Sequence, residues 1–128
     1  MDKLQALHAF WSSFEIPAFD ENSVPDEKER IDLYGTAFPY ITYEVSSDDF
    51  GNKISLSASL WYRSSSWSDI TRKEQEISAY ITRGGRLVPY DGGAMWISKG
   101  TPWAQRLGED SDDQIRRIIL NVEIEFLD

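Results

Sequence analysis

Hydrophobic and polar positions alternate most strictly over residues 53–63. Ile54, Leu56, Ala58, Leu60 and Tyr62 take one parity, and Ser55, Ser57, Ser59 and Trp61 the other. A period of two predicts a strand with one face buried. The same period returns over 115–127, where Ile118, Leu120, Val122, Ile124 and Phe126 alternate with Ile119, Asn121, Glu123 and Glu125. A third strand is predicted over 39–45, with Pro39 at the first position, where a missing N–H costs least. The seven residues 46–52 between it and the next strand are turn formers, Ser46-Ser47-Asp48-Asp49-Phe50-Gly51-Asn52. So short a connection predicts an antiparallel hairpin. A second hairpin is predicted over 86–98, from Leu87-Val88 through a turn at Tyr90-Asp91-Gly92-Gly93 to Ala94-Met95-Trp96-Ile97.

Two segments change period. Over 2–14, Leu4, Leu7, Trp11 and Phe14 recur at spacings of three and four with Phe10 at the edge, which predicts an amphipathic helix. A second helix is predicted from Ser66 or Ser68, either of which can cap it. Its apolar stripe is Ile70, Ile77, Tyr80 and Ile81, and it stops at Gly84-Gly85, where a left-handed residue suits a helix end. Residues 16–37 carry two prolines and an acidic cluster and read as a long loop with a short helical turn at 26–33. Residues 99–114 read as an acidic loop. The order α-β-β-α-β-β-β predicts one α+β domain spanning 1–128. Its mixed, mostly antiparallel sheet has four to five strands, with two main helices packed on one face. Trp61 and the serines are then left on the other face, for solvent or a partner.

Composition narrows what such a surface can bind. With 13 basic against 22 acidic residues the net charge is −9, which argues against a surface that grips phosphate backbones. The absence of cysteine removes disulfides, thiol nucleophiles and thiolate metal sites. No apolar run approaches the roughly 20 residues of a membrane span, and the first residues lack the apolar stretch of a secretory signal, so we expect a protein made in the cytosol. Five Trp and six Tyr exceed the needs of core filling, and both residue types are enriched at interfaces. Trp61, Trp67, Tyr90, Trp96 and Trp103 are therefore the candidates for subunit or partner contacts.

Candidate chemistry is thin. His8, the one histidine, has no Ser, Cys or metal-ligand partner at a useful spacing and reads as a surface residue. The run Glu109-Asp110-Ser111-Asp112-Asp113 has oxygen ligands for a hard cation but lacks the glycine and distant glutamate of a calcium loop, so it reads as a solvated acidic loop. Asp48-Asp49 and Asp20-Glu21 read the same way. Gly84-Gly85 and Gly92-Gly93 fit no phosphate-binding fingerprint and read as turns. No carboxylate pair is nominated for general acid–base work. The sequence nominates no catalytic, cofactor-binding or metal-binding residue, and we expect a protein that is not an enzyme.

The order of the elements is nonetheless informative. An amphipathic helix precedes a long loop and the strand Pro39-Tyr40-Ile41-Thr42-Tyr43. Then come an alternating strand ending Leu60-Trp61-Tyr62-Arg63, a Ser-rich helix start, an amphipathic helix and the final alternating strand from Leu120 to Phe126. This resembles the tail terminator and tail-to-head joining proteins of long-tailed bacteriophages, of the lambda tail-terminator type. The resemblance implies a structural virion protein without catalytic residues or cofactors. Such proteins form a ring, usually a hexamer, that ends tail-tube growth and offers the docking surface for the head. The implied partners are other copies of the chain, the tail-tube protein and the head-completion or connector protein. Genomic DNA only passes through the channel, and no membrane is involved. On this reading some of Asp48, Asp49, Glu109, Asp110, Asp112 and Asp113 face the channel, where negative charge repels DNA. Neighbouring readings are a head-completion, neck or minor tail protein. A different class, an acidic inhibitor-like module that masks a basic target, fits the charge as well.

Overall fold

The computed structural model describes residues 1–45, 53–108 and 114–127. It contains helices α1 (Lys3–Ser12), α2 (Glu27–Tyr34) and α3 (Ser68–Ile81). The strands are β1 (Ala18–Asp20), β2 (Tyr40–Tyr43), β3 (Lys53–Arg63), β4 (Arg86–Tyr90), β5 (Gly93–Gly108) and β6 (Ile115–Phe126). The strands form one six-stranded sheet in the order β1-β2-β3-β6-β5-β4. Only the β1–β2 pair is parallel. The fold is thus α+β with a mixed sheet, as the alternation predicts, but it has six strands where four to five are expected.

The two long alternating strands lie side by side at the centre. β3 and β6 pair from Lys53↔Glu125 to Arg63↔Ile115. Paired residues share a face, so Ala58 and Leu60 meet Leu120 and Ile118 on the face toward the helices. Met95 and Ile97 of β5, Ile41 and Tyr43 of β2, and Val122 and Ile124 of β6 complete that inner face. α3 closes it over β3, β5 and β6 with Ile70, Ile77 and Ile81, all fully buried. The spacing of seven and four along one stripe is why this segment becomes a helix.

α1 does something the sequence does not announce. It contacts both β1 and β4, the two edges of the sheet. The sheet therefore curls until one helix bridges its edges, and Ala6, Leu7, Phe10, Trp11 and Phe14 fill the gap. The stripe is rotated from the one predicted. Leu4 is 54% exposed, while Phe10, expected at the edge, is buried. Asp2 caps the helix with a capping box to Gln5. The N-terminal amine pairs with Asp91, and Asp91 N–H donates to the Met1 carbonyl, which ties α1 to the β4–β5 turn. Phe14 meets Tyr80 edge-on at 5.3 Å, and Lys73 Nζ donates to the Phe14 carbonyl at 2.9 Å, which joins α1 to α3.

Two expected loops hold regular structure. Within 16–37, β1 adds an edge strand and α2 is a full helix, capped by Asp26 and ended by Gly35 at φ 82°. Within 99–114, β5 runs on to Gly108, with a register shift between Lys99 and Ala104. The bulge accommodates Thr101-Pro102, within the segment that the sequence reads as an acidic loop. The boundary signals of α3 also differ from expectation. Trp67 holds the N-cap position without a side-chain cap bond, and Ser66 Oγ accepts from Ser68 N–H just before the helix. At the other end the left-handed residue is Thr82, at φ 68°, ahead of the glycines.

Tyr62 points to the inner face beside α3. Burial, then the charges of Asp69 and Glu76, push its pKa up to about 12. An unfolded tyrosine ionises near pH 10, so the folded state holds this proton longer than the unfolded one. The contribution is complete below about pH 10 and is lost as pH rises toward 12. Urea midpoints should therefore fall across that window, and less steeply in Tyr62→Phe. Tyr43, raised in the same direction by burial and then by Asp20, leaves a residual slope.

Candidate interaction surface

The outer face of the sheet carries the second parity of each strand. Register places Tyr40 opposite Trp61, and Trp61 opposite Arg117. The rings of Tyr40 and Trp61 stack at 6.0 Å and 10°. Arg30 of α2 lies over Tyr40 at 4.3 Å, and Arg117 lies over Trp61 at 4.5 Å. Cation, ring, ring and cation thus form a ladder across the sheet. Each cation faces the negative π-cloud of its ring. The Trp61 indole N–H donates to Thr42 Oγ1 at 2.9 Å, and Arg117 Nε donates to Ser59 Oγ at 3.1 Å. The serines of β3 are therefore specific partners and not mere solvent-facing filler: Ser57 also bonds Glu44 through both its N–H and its hydroxyl.

α2 covers one end of this face. Arg30 is buried, with Nε donating to the Ala37 carbonyl at 3.0 Å and Nη1 to the Pro25 carbonyl at 2.7 Å. Tyr34 packs against Phe19 at 5.8 Å, and Phe38 receives Arg63 at 5.1 Å. α2 also leaves apolar side chains open to solvent: Ile31, Leu33 and Tyr34 are 46%, 66% and 49% exposed. At the other end of the face, next to the β5 bulge, Glu44, Ser57, Pro102, Gln105 and Asn121 line an open groove of about 400 Å³.

The five aromatic candidates do not gather in one place. Trp61 sits on the outer face as its parity predicts, half-buried in the ladder. Trp67 packs partly on the core, with Arg106 at 5.0 Å and Arg116 at 5.4 Å from its ring. Tyr90, at the end of β4, also packs on the core and has Lys3 at 5.8 Å. Trp96 covers Gly85 and donates to the Gly84 carbonyl at 3.1 Å. Trp103 lies in the β5 bulge, packed on the core. The six acidic channel candidates, Asp48, Asp49, Glu109, Asp110, Asp112 and Asp113, lie outside the described residues.

His8 is exposed, as expected, but it does have a Ser partner. Its Nε2 is 3.2 Å from Ser12 Oγ and its Nδ1 is 2.7 Å from Tyr43 Oη. A Ser–His pair one helical turn apart arises from spacing alone. The third member is a phenol, which near neutral pH is uncharged even at the ordinary tyrosine value, so it lacks the negative charge with which a carboxylate stabilises an imidazolium. We read the chain of bonds as a brace between α1 and β2. Among the described residues no three His, Asp or Glu side chains gather as a metal site, and no helix is long and apolar enough to cross a membrane.

Sequence reasoning misses Arg30, Arg117, Arg106 and Arg116 as partners of the aromatic rings. Arg117 was recoverable by setting the two alternating strands in register, whereas Arg30 depends on where α2 lands. Truncating Trp61 to alanine removes the centre of the ladder and one hydrogen bond. We expect about 2–3 kcal/mol lower stability with the far-UV circular dichroism retained. No protein-family model matches the chain, and no curated protein matches it.

Proposed function

We propose that this chain is a structural subunit of a bacteriophage tail. It acts as one copy of a ring, six by the resemblance, that ends tail-tube growth and presents the docking surface for the head. The observation that carries this reading is the surface chemistry. The sheet face turned away from the core is built from ordered rings and guanidinium groups, and α2 beside it exposes Ile31, Leu33 and Tyr34. Rigid aromatic and Arg anchors next to exposed apolar side chains are what interfaces select.

The test is tube length. Tail-tube protein polymerised with increasing amounts of this chain should give progressively shorter tubes of defined length. Tubes that grow to the same length with and without it would contradict the reading.

A further inference from the structure

Basic residues are few in this chain, yet three arginines meet at one end of the molecule. Arg106 and Arg116 flank the Trp67 ring, Arg106 Nη2 bonds Thr71 Oγ1 at 3.1 Å, and Arg72 sits one position further along α3. Trp67, Ser66, Ser68, Arg72 and Arg106 line an open cavity of about 400 Å³. The Arg72 side chain is 77% exposed, and its ion-pair partner Asp69, at 3.3 Å, is 63% exposed. Such a pair is worth little and is readily exchanged for a better one. The pocket thus offers an aromatic floor, hydroxyls and guanidinium forks, the set that recognises carboxylates beside an apolar side chain.

The matching chemistry lies elsewhere on the same chain. Asp20, Glu21, Asp26, Glu27, Glu29 and Asp32 surround α2, against Lys28 and the buried Arg30. Glu29, Asp32 and Leu33 fall at i, i+3 and i+4, one stripe of the helix, with Leu33 the most exposed large apolar residue described. We infer that the Trp67 pocket receives α2 of a second copy of this chain: Leu33 lies on the indole, and Glu29 and Asp32 meet Arg72 and Arg106. The two surfaces are different patches of one chain, so the contact is heterologous, the kind that closes into rings. The inference rests on the ring reading above for its purpose, but the contact is testable without it. Duplex DNA, the other polyanion such a cluster can hold, fits less well with a chain of net charge −9.

The test uses two charge-reversal variants, Arg72→Glu/Arg106→Glu in the pocket and Glu29→Arg/Asp32→Arg on α2. All four positions are exposed, so each variant should fold, and circular dichroism checks that it does. Sedimentation velocity over a concentration series should show the wild type self-associating and each variant alone at least about tenfold weaker. An equimolar mixture should recover association, in one-to-one composition, because each reversed surface then meets its complement. Variants that associate like the wild type, or a mixture that stays apart, overturn the contact. So does a wild type that remains monomeric throughout. Recovery of association by neutralising Glu109, Asp110, Asp112 and Asp113 in the pocket variant would make the chain's own acidic run the occupant and overturn it too. Binding to a short duplex that the pocket variant loses would assign the cluster to nucleic acid instead. Tube length with the wild-type chain is read in the separate experiment above, so failure of the contact and failure of the ring reading are told apart.

Discussion

Trp11→Ala is expected to lower stability by about 3–5 kcal/mol, a large fraction of the margin of a domain this size. Trp11 is 2% exposed and lies where α1 closes the gap between the sheet's two edges. Phe10 meets it edge-on at 4.9 Å, and Phe14 lies at 6.5 Å. The helix is held from both sides, by the pairing of the N-terminus with Asp91 and by the Lys73–Phe14 bond, so it cannot slide to fill the void. The cost therefore includes the cavity as well as the lost transfer energy. Urea unfolding followed by far-UV circular dichroism measures it, and Trp11→Phe should lose clearly less.

Gly85→Ala is the second large effect, about 2–4 kcal/mol. Gly85 has φ +103°, and a Cβ there would lie 2.4 Å from Trp96 Nε1 and 2.9 Å from the Ile97 carbonyl oxygen. The indole would have to leave, breaking its bond to Gly84, while the alanine still holds an unfavourable φ. Gly92 separates the two terms. It has φ +89° in the β4–β5 turn but nothing within 4 Å of its Cβ position, so Gly92→Ala should show only the backbone cost, about 1 kcal/mol. Thermal melts of the pair, with near-UV circular dichroism reporting on Trp96, check both.

These residues also show what could be read from the chain. Strands β3 and β6 were legible because each alternates over many residues, and parity alone put Trp61 on the outer face. Their pairing with each other, across more than fifty residues of chain, has no local signal. β1 was illegible because three residues, Ala18-Phe19-Asp20, are too few to show a period. The second half of β5 was hidden by Gly100, Pro102 and Gly108, which look like turn residues until the bulge explains them. The stripe of α1 was misplaced because the helix packs against a curled sheet that touches it on two sides, so Phe10 goes in and Leu4 stays out. The aromatic candidates were found by residue type. What they do depends on cations from distant segments: Arg117 and Arg30 at the Tyr40–Trp61 ladder, Arg106 and Arg116 at Trp67. Spacing along the chain could not reveal those pairings.

The central claim is that this chain closes into a ring at the end of a tail tube. Electron microscopy of tail tubes assembled with the purified chain tests it most directly. The account predicts a closed ring of six copies around the lumen at one end of each tube. Bare tube ends beside a chain that stays monomeric would contradict it.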